Sequence, residues 1–120
     1  MNKEFIHYEQ ALALKELDYN EDCFGYYIGG KLFITTVVYN YTENVCKAPT
    51  FSQAFRWFRE KYVLSGWIYN SDVKKYCFTI LQNGRIVKSQ KELLTYEEAE
   101  LECLKKLIEL IKYESSNTKA

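Results

Sequence analysis

Tyr76-Cys77-Phe78-Thr79-Ile80-Leu81-Gln82-Asn83-Gly84-Arg85-Ile86-Val87-Lys88 reads as two strands closed by a two-residue turn. Asn83-Gly84 supplies the two positive φ angles of a tight hairpin, and the flanking runs are rich in β-branched and aromatic residues. Upstream, a short strand Trp67 to Asn70 and a turn at Ser71-Asp72 precede this hairpin. A second hairpin lies nearer the N-terminus, where Cys23 to Ile28 and Lys31 to Tyr39 flank Gly29-Gly30, with Ile28 facing Lys31. One face then carries Phe24, Tyr26, Phe33 and Val37, and the other Tyr27, Leu32, Ile34 and Val38, so alternation alone does not choose the inner face. Asn40 to Pro49 reads as a loop.

Three similar phrases start helices: His7-Tyr8-Glu9-Gln10-Ala11, Thr50-Phe51-Ser52-Gln53-Ala54 and Thr95-Tyr96-Glu97-Glu98-Ala99. In the last two, a Thr hydroxyl accepts from a first-turn N–H while Gln53 or Glu98 reaches back to the Thr N–H. His7 is a poor cap. The first helix is expected over Tyr8 to Leu17, the second from Thr50 to about Tyr62, and the third from Tyr96 to about Tyr113. Phe51, Ala54, Phe55, Phe58 and Tyr62 form the inward stripe of the second helix, with Trp57 well off it among Arg56, Arg59, Glu60 and Lys61. The third helix carries Tyr96, Ala99, Cys103, Leu104, Leu107, Ile108 and Ile111, widened by Leu101 and Leu110 into an arc that packs on more than one neighbour, either across the sheet and another helix or against a second copy as a homodimer.

The resulting order, α-β-β-α-β-β-β-α, predicts an α+β fold with an antiparallel sheet of about five strands and helices mainly on one face. A single domain is expected over residues 1–113, followed by a flexible polar tail, 114–120. A duplicated αββ unit is disfavoured, because capping boxes recur for physical reasons and the intervening strands do not align.

The 120 residues are 27% charged and 48% apolar, as expected of an ordinary globular chain. Sixteen basic and sixteen acidic side chains cancel, which removes the broad positive field that drives non-specific nucleic-acid binding. No run approaches a membrane span or a signal peptide, so a cytoplasmic protein that engages no membrane is expected. Cys23, Cys46, Cys77 and Cys103 lack metal-ligand spacing and read as reduced thiols. Neither a metal nor another cofactor is expected.

Catalytic signatures are missing. No Gly-rich phosphate loop follows a strand, and the lone His7 stands at a helix start. Glu97, Glu98, Glu100 and Glu102 complement the dipole at the start of the third helix. A non-enzymatic protein is therefore expected. Aromatic residues, in contrast, reach 17%, eleven of them tyrosines, and amphipathic rings suit binding surfaces. The candidate interaction surface comprises Arg56, Trp57 and Arg59 with Tyr27, Tyr39, Tyr41 and Trp67, and Trp57 is the leading candidate for an exposed hot spot. Lys74 and Arg85 are candidate phosphate contacts for a nucleotide stacked on tyrosine.

Residues 50–113 also run in the α-β-β-β-α order of a double-stranded RNA-binding domain. The glutamates at the start of the third helix stand where that family grips phosphate with lysines, so its function does not carry over. A closer likeness lies in Ala54-Phe55-Arg56-Trp57-Phe58-Arg59-Glu60-Lys61-Tyr62 and in Thr95-Tyr96-Glu97-Glu98-Ala99-Glu100-Leu101-Glu102-Cys103-Leu104-Lys105-Lys106-Leu107-Ile108. These phrases resemble small uncharacterised proteins of Bacteroidetes and their phages. That group carries no assigned activity, so the resemblance implies a setting: a phage or prophage accessory protein, in the host cytosol if phage-encoded. Two functions fit. One is binding a host or phage macromolecule, a protein above all, through aromatic surface; the other is sequestering a nucleotide signal in phage counter-defence.

Overall fold

The computed structural model describes residues 2–34, 45–72 and 75–118. It is an α+β structure whose chain divides into two compact units, Met1–Ala54 and Phe55–Ala120. Two three-stranded antiparallel sheets replace the expected single sheet of about five strands. Alternation along a strand reports its faces but not its partners, which is why the pattern did not separate the sheets.

In the first unit, α1 (Tyr8–Glu16) follows a 3-10 turn at Asn2–Glu4, and His7 makes no side-chain cap hydrogen bond. Strands β1 (Gly25–Ile28) and β2 (Lys31–Ile34) pair in the predicted register, Ile28 opposite Lys31, across Gly29 and Gly30 at φ 59° and 83°. The expected continuation of the second strand to Tyr39, including Val37 and Val38, lies outside the described residues.

The expected loop before Pro49 contains a strand, β3 (Val45–Lys47), which pairs with the other edge of β1. At three residues it is too short to show alternation. Both faces of β1 are covered. Tyr27 stacks edge-on to Tyr8 at 5.2 Å, and its hydroxyl donates to the Ile6 carbonyl at 2.8 Å. On the opposite face, Tyr26 is buried beside Lys47, whose ammonium donates to the Glu21 carbonyl at 2.9 Å. At the edge, Phe33 and Ile34 of β2 stay exposed.

Helix α2 (Phe51–Tyr62) begins at a complete capping box. The Gln53 N–H donates to Thr50 Oγ1 at 3.2 Å and the Thr50 N–H to Gln53 Oε1 at 2.9 Å. Phe51, Ala54 and Phe58 of its expected stripe are buried, while Phe55 and Tyr62 are half-buried.

The second unit adds β4 (Leu64–Asp72), β5 (Lys75–Gln82), β6 (Arg85–Leu93) and α3 (Tyr96–Thr118), with strand order β4-β5-β6. The hairpin turn falls where predicted, with Gln82 opposite Arg85 and Asn83 and Gly84 at φ 53° and 80°. The turn expected at Ser71-Asp72 is instead the end of β4, so that strand is longer than Trp67 to Asn70 at both ends. Helix α3 likewise continues past Tyr113 through Thr118, into the segment assigned to the tail. At its start the Glu98 N–H donates to Thr95 Oγ1 at 3.0 Å, the forward half of the predicted box.

The inner sheet face and α3 form this unit's core. Gly66 is paired with Ile80, and Ile68 with Phe78, on the face that meets Ala99, Cys103, Leu104 and Leu107. A Cβ at Gly66 would lie 2.7 Å from Cys103 Sγ and 3.6 Å from Leu107 Cδ1, so glycine lets the helix settle close to the strand. Ile108 and Ile111 extend the buried stripe as predicted. Tyr96 leaves it, standing exposed and edge-on to Tyr76 at 6.0 Å.

Candidate binding surface

Because successive strand side chains alternate, the inward placement of Gly66 and Ile68 sends Ser65, Trp67 and Tyr69 to the outer face of the second sheet. Their register partners on that face are Leu81, Thr79 and Cys77, and β6 adds Ile86 opposite Leu81 and Ser89 opposite Thr79. Trp67 is 58% exposed, Tyr69 42% and Ile86 67%. The hydroxyls of Tyr69 and Thr79 are hydrogen-bonded at 3.2 Å, which fixes the phenol along the sheet. Every residue in this paired set is uncharged. Of the neighbouring cations, Arg85 flanks the turn, Lys88 is paired with Ile80 of the inner face, Lys91 lies at a register shift, and Lys75, two residues before Cys77 on this same face, is ion-paired with Glu92 at 4.0 Å.

Trp67 thus stands in a cluster of exposed apolar side chains. Trp57 does not. Expected at the surface, it is 6% exposed, edge-on to Phe58 at 5.1 Å and to Tyr62 at 5.4 Å, with the Lys61 ammonium 5.1 Å from its ring centroid. The indole turns from the flank of α2 onto these rings, with the Lys61 ammonium over its face. Arg56 and Arg59 are exposed, Arg56 in an i,i+4 ion pair with Glu60 at 3.5 Å, so they do not frame an exposed indole.

Tyr27 is half-buried, and its hydroxyl is committed to the Ile6 carbonyl. Arg85 is exposed beside the hairpin turn. Tyr39, Tyr41 and Lys74 lie outside the described residues. Ile86 was absent from the sequence-derived surface. The Asn83-Gly84 register places it opposite Leu81, and that was the signal available for it.

Three of the thiols are displaced upward. Burial, and then the Glu100 carboxylate, pushes the Cys103 thiol up to about 12. Burial likewise raises Cys46 and Cys23, and all four cysteines are free thiols. Among the described residues no His, Cys, Asp and Glu group has the geometry to hold a metal, and no helix is long and apolar enough to cross a membrane.

Glu100 is the displaced carboxyl. Burial first, and Glu97 second, raise it from 4.5 to about 7. Between those values the folded protein holds a proton that the unfolded chain releases, so stability falls as pH rises through that window and levels off above it. Glu100→Gln is expected to raise the melting temperature at pH 8 and to flatten its decline with pH. Thermal unfolding across pH 4 to 9 checks this, and an unaltered slope would contradict it.

Comparison with protein-family models, curated proteins and solved structures finds no match to this chain.

Proposed function

We propose that the chain is a non-enzymatic accessory protein of the phage or prophage type that binds a host or phage protein through the outer face of β4, β5 and β6. The observation that carries this reading is the exposed Trp67, Tyr69 and Ile86 on one sheet face. Aromatic anchors on a rigid strand ladder offer large contact area at little entropic cost, as at interface hot spots. No cation is paired among Trp67, Tyr69 and Ile86, and Lys75 at the end of the same face is engaged by Glu92, which favours a protein surface over a phosphate backbone. The phage setting rests on the resemblance of the α2 and α3 phrases.

Affinity capture from phage-infected and uninfected host extracts, compared across variants, tests the site. A partner held by the natural chain and by Arg56→Ala/Arg59→Ala is expected to be lost with Trp67→Ala/Tyr69→Ala, an effect of about 2 kcal/mol or more at a hot spot. Both double variants change exposed residues and should melt close to the natural chain. Equal capture by all three proteins would overturn the assignment.

A further inference from the structure

A cleft of about 280 Å³ in the second unit is lined by Lys88 of β6 and by Lys106, Glu109, Leu110 and Tyr113 of α3. We propose that this cleft binds a nucleoside monophosphate, a site separate from the outer sheet face and beyond the protein-binding reading. Lys88 pairs with Ile80 and so belongs to the helix-covered side of the sheet, opposite Trp67. Lys106 is held by Glu109 at 3.2 Å, whereas Lys88 has no ion pair among the described residues. Among the described lining residues two ammonium groups stand against one carboxylate, an excess of positive charge that favours an anion.

The rest of the lining is apolar and flat. Tyr113 is 68% exposed and Leu110 half-buried, so a ring and an aliphatic wall are open to a planar group. Base stacking on an aromatic side chain is sequence-tolerant, and a lysine ammonium meets phosphate as a point charge. The volume falls just under the usual range of ligand sites, about 300 Å³ upward, which suits one nucleotide rather than a dinucleotide or a peptide.

Titration calorimetry of the full chain with AMP, GMP, CMP and UMP, with adenosine and inorganic phosphate as partial ligands, tests the site. Saturable binding of at least one monophosphate is expected, with each partial ligand weaker. Lys88→Gln and Tyr113→Ala should each weaken it about tenfold, a loss typical of one charged or stacking contact. Trp67→Ala should leave it unchanged, which separates this site from the outer face. Both cleft residues are exposed, and unaltered melting of the two variants confirms that they remain folded. No saturable binding of any monophosphate, binding indifferent to both substitutions, or phosphate binding as tightly as the nucleotides would overturn the proposal.

Discussion

Trp57→Ala is expected to lower the unfolding free energy by about 3–5 kcal/mol, the usual cost of truncating a large buried aromatic. The indole is 6% exposed and meets the Phe58 and Tyr62 rings edge-on. Such pairs contribute roughly 0.5–1.5 kcal/mol beyond the area they bury, and the Lys61 ammonium over the ring adds a cation–π contact. Against a total stability of about 5–15 kcal/mol for a typical domain, this loss brings the chain close to unfolding at ambient temperature. Urea denaturation at constant m-value measures it. A loss under about 1 kcal/mol would return Trp57 to the surface role that the helical wheel assigns it.

Gly25→Ala is expected to cost about 3 kcal/mol, at the upper end of overpacking penalties. A Cβ there would stand 2.6 Å from the Ala48 carbonyl oxygen and 2.7 Å from two atoms of the Phe5 ring. Neither neighbour yields easily. The Ala48 N–H donates to the Gly25 carbonyl at 2.9 Å, and Phe5 is buried in a bridge with Thr50. Gly66→Ala meets one close obstacle where Gly25→Ala meets three, the Cys103 thiol at 2.7 Å, a side-chain atom that can shift where a backbone oxygen cannot. Thermal melts should therefore rank Gly25→Ala as the more damaging, and the reverse ranking would contradict this packing.

Much of the fold was legible because it is written in local chemistry. Asn83-Gly84 and Gly29-Gly30 set both hairpin registers through positive φ angles, and Thr50 with Gln53 fixed the start of α2. The α3 stripe from Ala99 to Ile111 was likewise visible as helical periodicity. Long-range pairing was not legible. β3 is held by β1, across a stretch of chain whose own pattern is that of a loop, and nothing local marks Val45-Cys46-Lys47 as a strand. The division into two sheets is a fact of the same kind.

The candidate surface shows the limit most clearly at the two tryptophans. A helical wheel gives the direction of a Cα–Cβ bond, but an indole reaches far enough to cross from a flank onto neighbouring rings, as Trp57 does. A strand offers less choice. Side chains stand nearly perpendicular to the sheet, so the close approach required at Gly66 is enough to put Trp67 on the far face.

The chain holds two tryptophans, so Trp57→Phe and Trp67→Phe give proteins with one indole each. Acrylamide quenching of their fluorescence under native conditions asks directly which indole a partner can reach. The Trp57→Phe protein, reporting Trp67, should emit to the red and be strongly quenched. The Trp67→Phe protein, reporting Trp57, should emit to the blue and resist quenching. Stronger quenching of Trp57 than of Trp67 would contradict the placement of the aromatic binding surface on the sheet.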